Sequence, residues 1–203
     1  MKLIGFIPNF KVLYHFYMEK YKLVLRVILP SMLCAILIHI TNISLEYSTL
    51  SFGLIIGLIN WGGHKYKPLL GVLLSVLASF VSFIIAYLSF AVTGAIFSFM
   101  DGDSGSVFGL AISTSIIAPL LLFFSCTFVF KIPKTRLTKL VIIFSLIILV
   151  SQSYLHYYID SLSIDFPNYK ILKPYTIWQM VMALALQLLL NQIEVNKLRA
   201  KIK

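Results

Sequence analysis

Acidic residues are scarce in this chain: Asp and Glu together number 7 among 203 residues. Their placement matters more than their count. Glu19, Glu46, Asp101, Asp103, Asp160, Asp165 and Glu194 all fall outside six long uncharged runs: Val27–Leu45, Tyr47–His64, Pro68–Met100, Ser104–Phe130, Leu140–Ile159 and Pro174–Ile193. Paired-carboxylate catalysis inside a membrane and the Asp/Glu proton relay of pumps both need an acid within such runs, so neither is expected. Charge of either sign is sparse, at 12% of residues against about 25% in a soluble domain. Cysteine is limited to Cys34 and Cys126, both inside apolar runs. They show neither metal spacing nor a disulfide framework and read as small apolar residues. The histidines, His15, His39, His64 and His156, pair with no other ligand type at metal-binding spacing. No Walker, HExxH or dinucleotide motif is present. Asp101-Gly-Asp-Ser-Gly105 is similar to a serine-protease string, but it sits in a short loop with no His and Asp framework, and a solvated turn is the expectation. The chain is therefore not expected to be an enzyme, nor to carry a metal or cofactor.

What remains is apolar. Hydrophobic residues make up 60% of the chain, and mean hydropathy is +0.95. Each of the six runs holds at least 18 residues, and about 20 apolar residues in a helix cross the roughly 30 Å of bilayer hydrocarbon. A soluble core could not bury six such runs beneath so little polar chain. The fold class predicted is all-α: a polytopic membrane helix bundle of six transmembrane helices. The opening stretch, Leu3–Phe10, is short and broken by Gly5, Pro8 and Asn9, so a cleaved signal is not expected.

The net charge of +10 raises nucleic acid as a partner, but the distribution of charge favours another reading. With six spans, 15 of the 17 basic residues lie on one side, in segments around Lys2–Arg26, Lys65–Lys67, Lys131–Lys139 and Lys197–Lys203. Lys170 and Lys173 share the other side with Glu46, Asp101, Asp103, Asp160 and Asp165. This is the positive-inside pattern. It predicts both termini in the cytoplasm and a bacterial inner-membrane location, with no nucleic-acid partner.

Three regions follow. Residues 1–22 form a cytoplasmic or interfacial segment, in which Phe10, Leu13, Tyr14, Tyr17 and Tyr21 share one helical face and Lys11, His15, Glu19 and Lys22 another. A short amphipathic helix lying in the interface is predicted there. Residues 23–193 form the bundle, and 194–203 a basic tail. Arg26 should snorkel from the head of span one, with Pro30 in the first turn. Span two carries Gly53-x-x-x-Gly57. Span three carries a stripe of Gly71, Ser75, Ala78, Ser82 and Ala86, continued by Ser89. Span four carries Gly105, Gly109 and Ser113, with Pro119 as a candidate break. In lipid, helices associate by close approach over small residues, so spans two to four should pack tightly. The run 68–100 is too long for one crossing, and Thr93–Met100 is expected either to extend span three or to turn along the outer face.

Two polar residues sit well inside an apolar helix: Gln179 and Gln187, two turns apart on one face. Interhelical hydrogen bonding is their plainer use and a polar solute path the sharper one. The turn between spans two and three, Ile59-Asn-Trp-Gly-Gly-His-Lys-Tyr-Lys-Pro68, reads as a reversal at the cytoplasmic boundary. Trp61 and Tyr66 suit the aromatic belt, Gly62-Gly63 positive φ, and Pro68 the first helical turn. His64 is expected to be exposed at the interface. Arg26 heading span one and a glycine early in span three loosely resemble the six-span halves of aromatic-acid exporters, with no motif that carries a residue over. The function expected is that of a non-catalytic membrane subunit or interaction protein, of immunity, exclusion, defence or secretion-accessory type. Its partners would be the lipid bilayer and either further copies of itself or another membrane protein. The alternative is a small-solute transporter or channel working as a homo-oligomer.

Overall fold

The computed structural model describes residues 10–41, 45–97, 104–161 and 174–202. Among these, every regular element is helical. The order is α1 (Phe10–Thr41), α2 (Leu45–Ile59), α3 (Pro68–Ile96), α4 (Ser104–Ile112), a single wide π turn (Ser113–Ile117), α5 (Ala118–Val129), α6 (Arg136–Ser161), α7 (Pro174–Leu190) and α8 (Gln192–Ile202). The predicted acidic loop at Asp101–Asp103 and most of the long loop after α6 lie outside the described residues.

Four stretches are long and apolar enough to cross a membrane: Tyr17–Ile38, Pro68–Ile96, Val107–Val129 and Arg136–Tyr158. This is an integral membrane protein by that measure, and its outer surface agrees. Leu73, Leu77 and Leu88 on α3, and Phe144, Ile147 and Leu155 on α6, are exposed on a surface with few charges. The helices at the predicted spans two and six are shorter. With 15 and 17 residues, α2 and α7 extend about 22 and 26 Å at about 1.5 Å per residue.

The first region departs from expectation. The interfacial segment is not a separate helix, because α1 runs unbroken for 32 residues from Phe10 to Thr41. Nothing between Phe10 and Leu29 can stop it: there is no Gly, Pro, Asn, Asp or Ser. A change from polar to apolar side chains alters what the helix touches without breaking its hydrogen bonds. Pro30 consequently lies inside the helix rather than in its first turn, and is fully buried.

Hydrogen bonds between neighbouring helices fix their directions. Ser75 Oγ donates to Gly53 O and Ser79 Oγ to Thr49 O, both at 2.8 Å, so α2 and α3 run antiparallel. A Cβ at Gly53 would lie 2.7 Å from both Ser75 O and Val76 Cα, and one at Gly57 3.1 Å from Val72 Cα. These backbones touch only because the side chains are missing. Thr93 Oγ1 donates to Gly109 O at 3.1 Å and meets Ser113 Oγ at 3.2 Å, joining the far end of α3 to α4. A Cβ at Gly109 would press on the Gly94 backbone. α3 therefore continues straight through Thr93 to Ile96. Of its stripe, Gly71, Ser75, Ser82 and Ala86 are buried, with Ser79 in the line where Ala78 was predicted. Ala78 is half-buried against the core. Gly105 is buried in the first turn of α4.

α7 runs through the centre. Met182, Ala183, Leu186 and Leu189 on it are sealed, packed with Cys34 of α1, Phe52 and Ile56 of α2, Leu122 and Cys126 of α5, and Leu149 of α6. Ser31 Oγ donates to Met180 O at 3.0 Å, and Arg26 meets Glu194 at 3.2 Å. Going back along α1 thus means going forward along α7 and α8, so these too are antiparallel. Arg26 does reach toward the end of the bundle, and it finds a carboxylate there.

Candidate functional site: a cavity beside a π turn

The sequence Ser113-Thr-Ser-Ile-Ile-Ala-Pro119 produces a local fault in the helix. Across the π turn the Ala118 N–H donates to Ser113 O, five residues back. In that register the next donor would serve Thr114 O, but the next residue is Pro119, which has no N–H. An orphaned carbonyl in an apolar interior is costly. Here the indole of Trp178 on α7 fills the vacancy, its Nε1–H donating to Thr114 O at 2.7 Å. The indole is held by Tyr175 stacked on it, with ring centroids 5.9 Å apart at 4°, and by Phe52 tilted against it at 6.3 Å. The Oγ of Ser115, in the same turn, donates to Leu149 O at 3.1 Å and meets Ser153 Oγ at 2.6 Å, tying the fault to α6.

The widened turn and the bulky indole hold the helices apart, leaving a cavity of about 230 Å³ between α2, α3, α4–α5 and α7. Its walls carry Phe52, Phe83, Ala86, Tyr87, Phe90, Leu110, Ala118 and Leu122, with Thr49, Ser79, Ser82, Ser113, Thr114, Tyr175, Trp178 and Gln179. Most of the polar groups are already engaged within the protein. Ser82 Oγ donates to Ala78 O at 2.7 Å and Thr114 Oγ1 to Leu110 O at 2.8 Å, while Ser79 and Ser113 make the bonds given above. Gln179 is buried and donates through Nε2 to Ser48 O at 3.2 Å. The two glutamines on one face therefore differ: Gln179 is on the cavity wall, and Gln187 is not. Gln187 is sealed one helical stretch further on, its Oε1 accepting from Asn191 Nδ2 at 3.2 Å. Its Nε2 has no partner among the described residues.

The opposite end of the bundle is built differently. His64 was expected to be exposed, but it is only 4% accessible. Its ring stacks on Phe130 at a centroid distance of 4.8 Å, and its Nδ1 faces Trp61 O at 3.0 Å. Since a carbonyl only accepts, Nδ1 carries the hydrogen, and the buried Nε2 has no partner among the described residues. The backbone around it forms a one-rung bridge to the α5–α6 connection: Lys65 N–H donates to Val129 O at 2.9 Å and Lys131 N–H to Gly63 O at 3.1 Å. Gly71 makes the burial possible, because a Cβ there would lie 2.2 Å from His64 Cγ. Gly71 thus accommodates a side chain rather than a neighbouring helix. The Gly62-Gly63 pair was expected to adopt positive φ, and neither residue does.

Next to this bridge, Gln192 is fully buried. Its Nε2 donates to Pro133 O at 2.9 Å, and its Oε1 accepts from Thr135 at 2.6 Å and Thr138 at 3.2 Å. The signals for these contacts in sequence are thin: a proline-ended loop with two threonines, and a glutamine where the apolar run stops. Cys34 and Cys126 are buried free thiols, and no group of three metal-ligating side chains occurs among the described residues. No protein-family model, curated protein or solved structure matches the chain.

Proposed function

We propose that the protein is a non-catalytic membrane subunit or interaction protein of a bacterial inner membrane, of the immunity, exclusion, defence or secretion-accessory kind, working through contacts with copies of itself or with another membrane protein. The observation that carries this reading is the use made of polar groups at membrane depth. Ser31, Ser75, Ser79, Thr93, Ser115, Trp178 and Gln179 each bond a carbonyl on another helix. Such groups fasten a scaffold; none is set as a nucleophile beside a base. In this reading α2 and α7 are also spans, short ones served by local thinning of the bilayer. The antiparallel neighbours support six crossings. The bridged end, with Lys65, Lys67, Lys131 and Lys134, faces the cytoplasm together with both termini.

Site-specific photo-crosslinking in native membranes tests it. A photoreactive residue at Phe144 or Ile147 of α6, and at Leu73 or Leu77 of α3, should give a discrete protein adduct from at least one face, either the chain itself or one partner. Lipid adducts alone from both faces would refute the reading. Gln179 on a cavity wall favours the alternative, a small-solute transporter or channel acting as a homo-oligomer. That alternative requires flux in liposomes that is lost in a Gln179→Leu, Gln187→Leu double variant while assembly is kept.

A further inference from the structure

The cavity beside the π turn differs from an ordinary packing defect in three respects. Its volume of about 230 Å³ exceeds the about 150 Å³ of an apolar cavity that admits a benzene ring. It reaches the outside of the bundle, since Tyr87 on α3 and Leu110 on α4 line it and are also 65% and 50% exposed. The exposed residues beside these two, Leu88 and Phe108, are apolar, so the opening lies on an apolar part of the surface.

The walls then select what can enter. The hydroxyls of Ser79, Ser82 and Thr114 donate to carbonyls of the protein, as does the Gln179 amide. The indole N–H is committed to Thr114 O. A polar solute would lose its hydration and find these donors already in use, with few others on the wall to receive it, the buried Tyr175 hydroxyl among them. A hydrocarbon chain has no hydration to lose, because it leaves one apolar environment for another, and its cost is only the ordering of the chain. It also restores the dispersion contacts that an empty void forfeits.

We propose that this cavity is a binding site for one acyl chain of a membrane phospholipid, entering sideways past the exposed Tyr87 and Leu110 and lying against Trp178 and Ala86, with the headgroup left at the membrane surface. By the benzene comparison the volume suits roughly nine carbons, a segment of a chain rather than a whole lipid. The site rests on the chain spanning a bilayer. It is independent of which protein partner it has, and of whether it has one.

Trp178 supplies a reporter. The chain has two tryptophans, so a Trp61→Phe variant leaves the cavity indole alone. Titrating this variant in dodecyl maltoside micelles with phosphatidylcholine brominated at mid-chain should quench about half of its fluorescence or more, saturating at one lipid per protein. Ala86→Phe fills the cavity and should abolish the saturable part. Leu88→Phe, on the outer surface nearby, should leave it intact. Native mass spectrometry of the unaltered protein should retain one mass of phospholipid after detergent removal, which keeps the test open should Ala86→Phe fail to fold. Quenching that rises without saturating, or is the same in Ala86→Phe, overturns the proposal. So does quenching by a brominated fatty acid but not by the phospholipid, which would assign a free fatty acid, and so does a native spectrum without a phospholipid adduct.

Discussion

The two ends of the bundle solve the same problem in opposite ways. At the basic end the connections are closed up against one another. The turn after α2 is bridged to the turn after α5, His64 lies flat on Phe130, and Gln192 bonds both the Pro133 carbonyl and two threonine hydroxyls. Toward the other end the helices are held apart. Pro119 removes a donor, the π turn shifts the register, and Trp178 both repairs the vacancy and props the gap open. The comparison teaches where polar contacts are needed in a membrane bundle. Short reversals must satisfy their backbone close to the protein, so the basic end is dense with hydrogen bonds. Mid-helix faults need only one well-placed donor, and the space left over can stay apolar and open to lipid.

The sharpest way to break the dense end is Gly71→Ala. The added methyl would lie 2.2 Å from His64 Cγ and 2.6 Å from its Cβ, and the ring cannot swing away because Phe130 covers one face and the bridge fixes the backbone. Overpacking of this kind costs about 3 kcal/mol. The expected outcome is a fall of several degrees in melting temperature in detergent, larger than for Trp178→Phe. A second substitution, His64→Ala, should recover most of the loss by vacating the space. If Gly71→Ala melts like the parent protein, His64 is not buried against it.

At the open end, Trp178→Phe keeps an aromatic ring, though a smaller one, and removes the donor. Thr114 O is then orphaned, at a cost of about 1 kcal/mol. The informative comparison is with Pro119→Ala, which restores an N–H that can reach that same carbonyl in the wide register. Pro119→Ala should therefore reduce the loss caused by Trp178→Phe. Strict additivity of the two changes in melting temperature would show that indole and proline do not serve one carbonyl.

How much of this could be read in advance differs between the ends for physical reasons. Helical class and membrane residence were legible because hydropathy over a run of twenty residues is a local property. Gln179 stood out as a polar residue in an apolar helix, but its position on a cavity wall depends on Pro119 and Thr114, far away in the chain. Pro119 marks a candidate break in sequence, but that the break takes the form of a one-residue shift in register, from Ser113 to Ile117, is not legible there. The burial of His64 is not legible in sequence, because the residues around it, Gly63, Lys65 and Lys67, are the company of an exposed turn, whereas its neighbours in space are Phe130 and Gly71. The joining of the amphipathic segment to α1 is hidden for a different reason. Polarity changes at Arg26, and a helix does not end where polarity changes.

The smallest effect expected lies nine residues from the largest. Gly62 and Gly71 belong to the same stretch, and the turn glycine looks the more constrained of the two in sequence. The structure reverses that ranking. A Cβ at Gly62 would meet nothing within 4 Å, and its φ is not positive. Ala at this position therefore adds no clash or backbone strain, and it reduces the freedom of the unfolded chain. Gly62→Ala should change stability by no more than about 0.5 kcal/mol and, if anything, raise it. A fall in melting temperature close to that of Gly71→Ala would mean that the turn is held by its glycine after all. A neutral result would place its anchorage in the His64–Phe130 clasp.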